Sequence, residues 1–389
     1  MPHTKLFDTK NSTEQEISLA HQIVFNIEHS QLSNAILLLH ELTDGQQFSK
    51  SWLQATEYAL KTEDWSVLSE GFIRQDFIGN DRYFLLIAPH QIYPDYGKSE
   101  AIQLSAILGR ILPLKSMAVQ QVEQEAIKVF GRLLQPITDV IPIEFIASTS
   151  HFNGENSEAF IVPESWIFPK SVEGPILNNL VQHRKRFKNS VRQNILRIFD
   201  LDTANLLLNS LADETTGTQI QHVEYQYHDA GHATGLGLRN KLKDNLLSNY
   251  WLAAVEEWRA DSVEFDLAMR TLPIAEVGKL IAANFCLRFG IDGQRLGGYN
   301  SDTHATCSLI TLEYLIRSSA VHLKKGKIFL RDLDYQTLAK SIEVQRSEAV
   351  SLTLEELSVE SPTGIIGCYH SIKVHQSTKE IFREFVMAS

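Results

Sequence analysis

The sequence predicts a mainly α-helical chain with a smaller α+β part at its N-terminal end. Three observations predict it. Apolar residues recur three and four apart through most of the chain after residue 190, which is the period of a helix with one buried face. Runs that favour strands fall in the first half. The proportions of 43% hydrophobic and 21% charged residues are those of an ordinary globular protein. A length of 389 residues is enough for two to three domain-sized units. The expected division is an N-terminal mixed α/β domain over 1–165 and a helical domain over 166–389.

From about Ser12 to Thr62 the apolar positions Ile17, Ala20, Ile23, Val24 and Ile27, then Leu32, Ala35, Ile36 and Leu39, carry helical spacing. Breaks fall at Ser30-Gln31 and Asp44-Gly45. Tyr83 to Pro89 reads as a short strand or buried segment, ended by Pro89 and Pro94. Residues 99–133 return to helical spacing. The runs Ile141–Ser148 and Ala159–Pro163 flank the turn pair Asn153-Gly154, so a hairpin is expected, with Pro142 at the first residues or on the edge of its strand. Pro163, Pro169 and Pro175 punctuate a connection between the two domains. The basic run His183–Lys188 follows and is read as a solvated helix face. Beyond it, 190–212, 219–234, 241–272, 274–289 and 303–323 are helical. No repeat or low-complexity tract interrupts them.

The net charge of −11 leaves no surplus of Lys and Arg to neutralise phosphates, which argues against non-specific nucleic-acid binding. The three cysteines, Cys286, Cys307 and Cys368, form no C-x-x-C pair and read as reduced, buried thiols. Met1 to Glu16 is polar and lacks the apolar stretch of a secretory signal. Apolar runs such as Ala35–Leu39 are far too short to span a bilayer. The expectation is a soluble, cytoplasmic protein with neither a nucleic-acid nor a membrane partner.

Two segments carry chemistry. In His228-Asp229-Ala230-Gly231-His232 the imidazoles stand four apart, one helical turn, so both can reach one ion. On the following helix Glu257 and Asp261 are again four apart, in a stripe with Leu247, Tyr250, Ala254 and Ala268. A carboxylate among residues fit for an interior is costly without a cation or donors. Glu257 is therefore expected as the third ligand of a zinc ion. Asp261 is expected to accept the free N–H of a ligand histidine, the contact that usually orients such a ring. Glu256 points about 100° away from the stripe and is expected to be exposed near Arg259. Gly231 costs up to about 1 kcal/mol relative to alanine inside a helix, which is easier to accept where another backbone or a substrate comes close.

Three protein ligands leave a fourth zinc position for water, and Asp229 beside His228 is the candidate base for an attack on a carbonyl. The usual peptidase motif has glutamate there, one methylene longer. Tyr299, in Gly297-Gly298-Tyr299-Asn300, could donate a hydrogen bond to a developing oxyanion; a packing role is the plainer reading. His222 lies on a different helical face from His228, where a satisfied surface or core role is expected. Two rival readings remain. A metal-dependent phosphohydrolase would use the adjacent pair His228-Asp229 as ligands, with His183 and Asp261. A non-catalytic relative would keep the metal as a structural or peptide-binding element.

Three segments together resemble the dipeptidyl-peptidase III family of zinc exopeptidases. Glu256-Glu257-Trp258-Arg259-Ala260-Asp261 resembles its Glu-Glu-Cys-Arg-Ala-Glu segment. Tyr227–Gly235 is similar to its His-Glu-Leu-Leu-Gly-His-Gly-Ser-Gly. Thr303–Arg317 resembles its His-Met-Gln-Ala-Arg helix in placing a histidine, His304, at the start of an apolar helix. The order of the three is the same, and they cover about 220–325. The resemblance implies a helical zinc-metallohydrolase catalytic domain of gluzincin-like type. It implies His228, His232 and Glu257 as zinc ligands, Asp229 in place of the catalytic glutamate, Asp261 behind the ligands, and His304 where the family binds substrate or stabilises the oxyanion. A peptide or small amide is the implied substrate. The chain departs from the pattern in its Asp229, in having one residue fewer between the histidines, and in its shorter length.

Overall fold

The computed structural model describes residues 4–8, 14–44, 50–65, 82–92, 101–112, 119–131, 133, 137, 140–150, 159–161, 176–234, 250–290 and 303–358. The architecture is mainly helical with an α+β portion, and the chain divides into two compact units, 1–115 with 138–183 and 116–137 with 184–389. The expected division at 165/166 differs from this one in two places. Residues 166–183 go with the first unit, and 116–137 join the second.

The first unit holds strands β1 (Thr4–Asp8), β2 (Arg82–Ile92), β3 (Ala101–Ile111), β4 (Val140–Ser148), β5 (Ala159–Ile161) and β6 (Ile176–Asn179). Its helices are α1 (Glu14–Glu28), α2 (Leu32–Asp44) and α3 (Lys50–Thr62). The strands form one sheet in the order β1-β2-β3-β4-β6-β5. All pairs are antiparallel except β4 with β6. One face, with Leu85, Ile87, Ala106 and Leu108, packs on Leu19, Ile23 and Ile27 of α1 and Leu39 of α2. The other gathers Phe84, Leu86, Ile107, Ile143 and Leu177.

Three expectations are corrected here. Residues 101–111 are a strand, not helix. The side chains from Ser105 to Leu108 are buried on both faces of the sheet, which removes the alternation that marks a half-exposed strand. The β4–β5 hairpin does not form, because β6 lies between the two strands and pairs with both; Asn153-Gly154 lies outside the described residues. Pro89 does not end its strand, Pro94 lies outside the described residues, and Pro142 stands among the first residues of β4, as expected. Pro89 sits inside β2, past the last residue that β1 pairs, and Pro142 sits in an interior strand. The carbonyl of Pro142 accepts from Leu112 N at 2.9 Å. A strand residue points its N–H and C=O to the same side, so the donor that Pro142 lacks would have faced the end of the β3 ladder.

The second unit is built from α4 (Val119–Phe130), α5 (Leu180–Arg186, which contains the boundary), α6 (Arg192–Ile198), α7 (Leu201–Asn209) and α8 (Glu214–Ala233). It continues through α9 (Tyr250–Thr271), α10 (Ile274–Gly290), α11 (Thr303–Arg317), α12 (Tyr335–Ser341) and α13 (Glu343–Ser358). A π-helical turn over Phe187–Val191 joins α5 to α6. A hairpin of β7 (Val321–Lys324) and β8 (Lys327–Leu330) follows α11. Its two-residue turn has positive φ at Lys325 (50°) and Gly326 (67°), the geometry that matches the twist of paired strands. The expected helix 190–212 is broken at Asp200, whose carboxylate accepts from Asp202 N and Thr203 N to start α7.

The core of this unit is a cluster around Trp258, Phe265, Phe285 and Phe289, with a second cluster where α4 meets α8 and α9 through Val122, Ala126, Tyr227 and Val263. The basic run is a solvated face only in part: Lys185 and Lys188 are exposed, but His183, Arg184 and Arg186 are buried. Arg184 donates to the carbonyls of Leu211 and Ala212, which follow α7 and have no partner within a helix. No helix among the described residues is long and apolar enough to cross a membrane.

Candidate metal centre

The site is made by two adjacent helices, α8 and α9. Asp213 starts α8, its carboxylate accepting from Thr216 N at 2.6 Å. At the other end, the last carbonyls of α8 need partners from outside the helix. Arg259 of α9 supplies one, its Nη2 donating to Gly231 O at 3.0 Å and its Nη1 to Thr234 Oγ1 at 3.3 Å. A cation there also lies at the favourable end of the helix dipole.

Gly231 sets the spacing. A methyl group at that position would stand 2.5 Å from Ala260 O and 2.8 Å from Ala260 Cα. The backbones of α8 and α9 therefore meet where no side chain fits between them. The glycine expected to allow a close approach allows that of a helix. This contact brings His228 and His232 of α8 against Glu257 and Asp261 of α9.

The side chains that converge are His228, His232 and Glu257, whose donor atoms lie within 4.8 Å of one another. The two Nε2 atoms are 3.1 Å apart. Glu257 Oε2 is 3.3 Å from His228 Nε2, and its Oε1 is 3.7 Å from His232 Nε2. Tetrahedral bonds of about 2.0–2.1 Å imply donor separations of about 3.3–3.4 Å, so the three atoms already sit near the corners such an ion needs.

Behind each ring is a carboxylate. His228 Nδ1 is 2.8 Å from Asp261 Oδ1, and His232 Nδ1 is 3.3 Å from Glu256 Oε1. A ring that donates its Nδ1–H keeps the Nε2 lone pair for an ion. Both Nε2 lone pairs then face one small volume, which a shared cation relieves. The donor set of two imidazoles and a carboxylate suits zinc.

Glu256 is the residue that sequence reasoning misplaced. It is buried, at 8% exposure, because α9 is buried all round and Arg259 at 0% travels with it. Arg259 Nε donates to Glu256 Oε2 at 2.7 Å, and its Nη2 donates to Oε1. Burial alone would raise the Glu256 pKa, but Arg259 and His232 outweigh it and hold it at about 2. Asp261 has the same construction. Burial is outweighed by Arg288 and His228, and its pKa is lowered.

Arg288, from α10, donates from Nε to Asp261 Oδ2 at 2.8 Å and from Nη2 to Asp261 Oδ1 at 2.7 Å. Sequence reasoning missed this residue. Its signal was present, as the one charge in the apolar run Leu280–Gly290. Burial would lower the pKa of both histidines. For His228, Asp261 and Glu257 reverse this and push it up to about 10; for His232, Glu257 and Glu256 raise it.

Asp229 is buried on α8, one residue on from His228 and therefore about 100° round the helix. His304 lies in the first turn of α11, and Tyr299 lies outside the described residues. His222 is fully buried, and neither ring nitrogen has a hydrogen-bond partner among the described residues. The satisfied role expected of it is not what the structure shows. Desolvation lowers its pKa to about 4, so the ring is neutral. Cys286 and Cys307 are free and buried; Cys368 lies outside the described residues. In the phosphohydrolase scheme Asp261 would ligate the ion, but its oxygens are held by His228 Nδ1, Arg288 and, at 3.2 Å, Cys307 Sγ.

A sequence family of unknown function (DUF6014) matches residues 11–310. No curated protein matches the chain. Among solved structures it is similar to DPP III from Caldithrix abyssi, with a TM-score of 0.60 and 11% identity over 92% of this chain and 68% of that one. It is similar also to dipeptidyl-peptidase III from Corallococcus sp. strain EGB, with a TM-score of 0.57 and 13% identity over 92% of this chain and 67% of that one. At such identities the likeness is one of fold.

Proposed function

The chain belongs to the DUF6014 family, whose function is unknown, and from its site we propose that it is a zinc-dependent hydrolase acting on a peptide or small amide. The observation that carries this reading is the convergence of His228 Nε2, His232 Nε2 and the Glu257 carboxylate, each ring backed by a buried carboxylate. The fold shared with two dipeptidyl-peptidase III structures supports the choice of a carbonyl substrate over a phosphate ester. Asp261, spent on His228, Arg288 and Cys307, also disfavours the phosphate-ester scheme.

His228, His232 and Glu257 would hold the ion. Zinc bound there supplies a Lewis acid for the carbonyl and lowers the pKa of water toward about 7. Asp261 and Glu256 fix the ring planes and keep Nε2 as the donor atom. Asp229 takes the proton released as water adds to the carbonyl and returns it to the leaving amine. His304 would donate to the developing oxyanion, where fixed donors gain most, with Tyr299 a second candidate for the same role.

A panel of dipeptidyl and aminoacyl arylamides tests the reading. Hydrolysis is expected to stop with a chelator, return with zinc, and fall about 10²-fold or more in Asp229→Asn at unchanged metal content. Full activity in Asp229→Asn would remove the proposed base. A zinc-loaded protein inert to the whole panel would favour the non-catalytic alternative.

A further inference from the structure

Four hydrogen bonds converge on the carboxylate of Asp261. Its Oδ1 accepts from His228 Nδ1 and from Arg288 Nη2, and its Oδ2 accepts from Arg288 Nε and Cys307 Sγ. It is buried, at 1% exposure. A guanidinium fork on both oxygens fixes the plane of a carboxylate as well as its place. The plane of Asp261 in turn sets the line along which His228 donates its Nδ1–H, and so the direction of the Nε2 lone pair.

The same Nη2 lies 3.5 Å from Glu257 Oε2, on the face of the site that carries the carboxylate donor. The backbone of Arg288 is itself tied down, its carbonyl accepting from Ser308 Oγ at 2.8 Å. Its side chain is 12% exposed.

Resting on the metal reading above, we propose that Arg288 is the positioning residue of the centre. It orients His228 through Asp261 and restrains Glu257, so that two helices present three donors in one geometry. Bulk charge argues the opposite way. A guanidinium next to the site repels a dication, so an arginine acting only through its charge would weaken metal binding, and its removal would tighten it. A positioning arginine gives the reverse sign.

Zinc affinity measured by chelator competition at one pH, on the full chain, separates these. Arg288→Met is expected to bind zinc about 10–100-fold more weakly than the wild type, the usual effect of losing a partner that orients a ligand. Equal or tighter binding overturns the proposal. Arg288→Lys keeps the charge and loses the fork, and is expected to recover only part of the affinity; wild-type binding in this variant overturns the orienting role. It also carries the test should Arg288→Met not fold, judged by its circular dichroism.

Two readouts distinguish positioning from a purely structural role. In the cobalt(II) form, the visible absorption bands are expected to shift in Arg288→Lys, because the donor geometry changes. Bands identical to the wild type overturn the proposal. In an Asp261→Asn background, Arg288→Met is expected to add little further loss; a full additional factor would mean that Arg288 does not act through Asp261. A wild-type chain that binds neither zinc nor cobalt removes the metal reading itself, an outcome separate from all of these.

Discussion

Replacing Gly231 with alanine probes the contact that assembles the centre. The new Cβ would lie 2.5 Å from Ala260 O, 2.8 Å from Ala260 Cα and 3.0 Å from Ala260 C, all of them backbone atoms that no rotamer can move aside. Reaching an ordinary contact of about 3.4 Å needs α8 and α9 to part by about 0.9 Å at this point, an overpacking strain of about 1–3 kcal/mol. Alanine is the better helix former by about 1 kcal/mol, which offsets part of that. The net expectation is a loss of up to about 2 kcal/mol, a fall in melting temperature of roughly 4–8 °C for a unit of this size. Zinc affinity should fall further than stability, because His228 and His232 ride on one helix and Glu257 on the other. Thermal melts with and without zinc, beside a chelator competition, read both effects. A variant that melts higher and binds zinc unchanged would show only the helix propensity of alanine and refute the close-contact argument.

Two further perturbations follow from the site. The folded pKa of His222 lies at about 4, below its ordinary value of 6.5. The unfolded chain therefore takes up a proton that the native one refuses, and stability falls as pH drops from about 6.5 to 4, by about 3 kcal/mol in all. In His222→Leu this part of the acid loss should vanish in denaturant titrations at pH 7, 6 and 5; a pH dependence equal to the wild type would mean that His222 is not held neutral. Asp229→Glu restores the longer base of the usual zinc-peptidase motif. A gain in arylamide hydrolysis is expected if the site works as a peptidase with a base one methylene short, and a loss would show that Asp229 is fitted to a different reaction.

The helices that carry the site were legible because their metal-ligating residue types recur one turn apart. The pairs His228/His232 and Glu257/Asp261 stand one turn apart, and that spacing survives into the fold. Glu256 was misread for a physical reason. A face opposite the ligands was expected to be wet, but α9 is buried all round and carries Arg259 three residues on to balance the charge. The strand over 101–111 was misread because Ala106 and Leu108 serve one core cluster while Ile107 and Ile111 serve another. An apolar run without alternation reads equally well as a buried helix. Arg288 needed the third dimension: α10 reaches Asp261 only through packing that no spacing within one helix encodes.

Metal analysis of the purified chain tests the account most directly. About one zinc per chain is expected in the wild type, lost in both His228→Ala and Glu257→Ala. Unchanged metal in a folded Glu257→Ala protein would contradict it, since the carboxylate of α9 would then take no part in holding the ion.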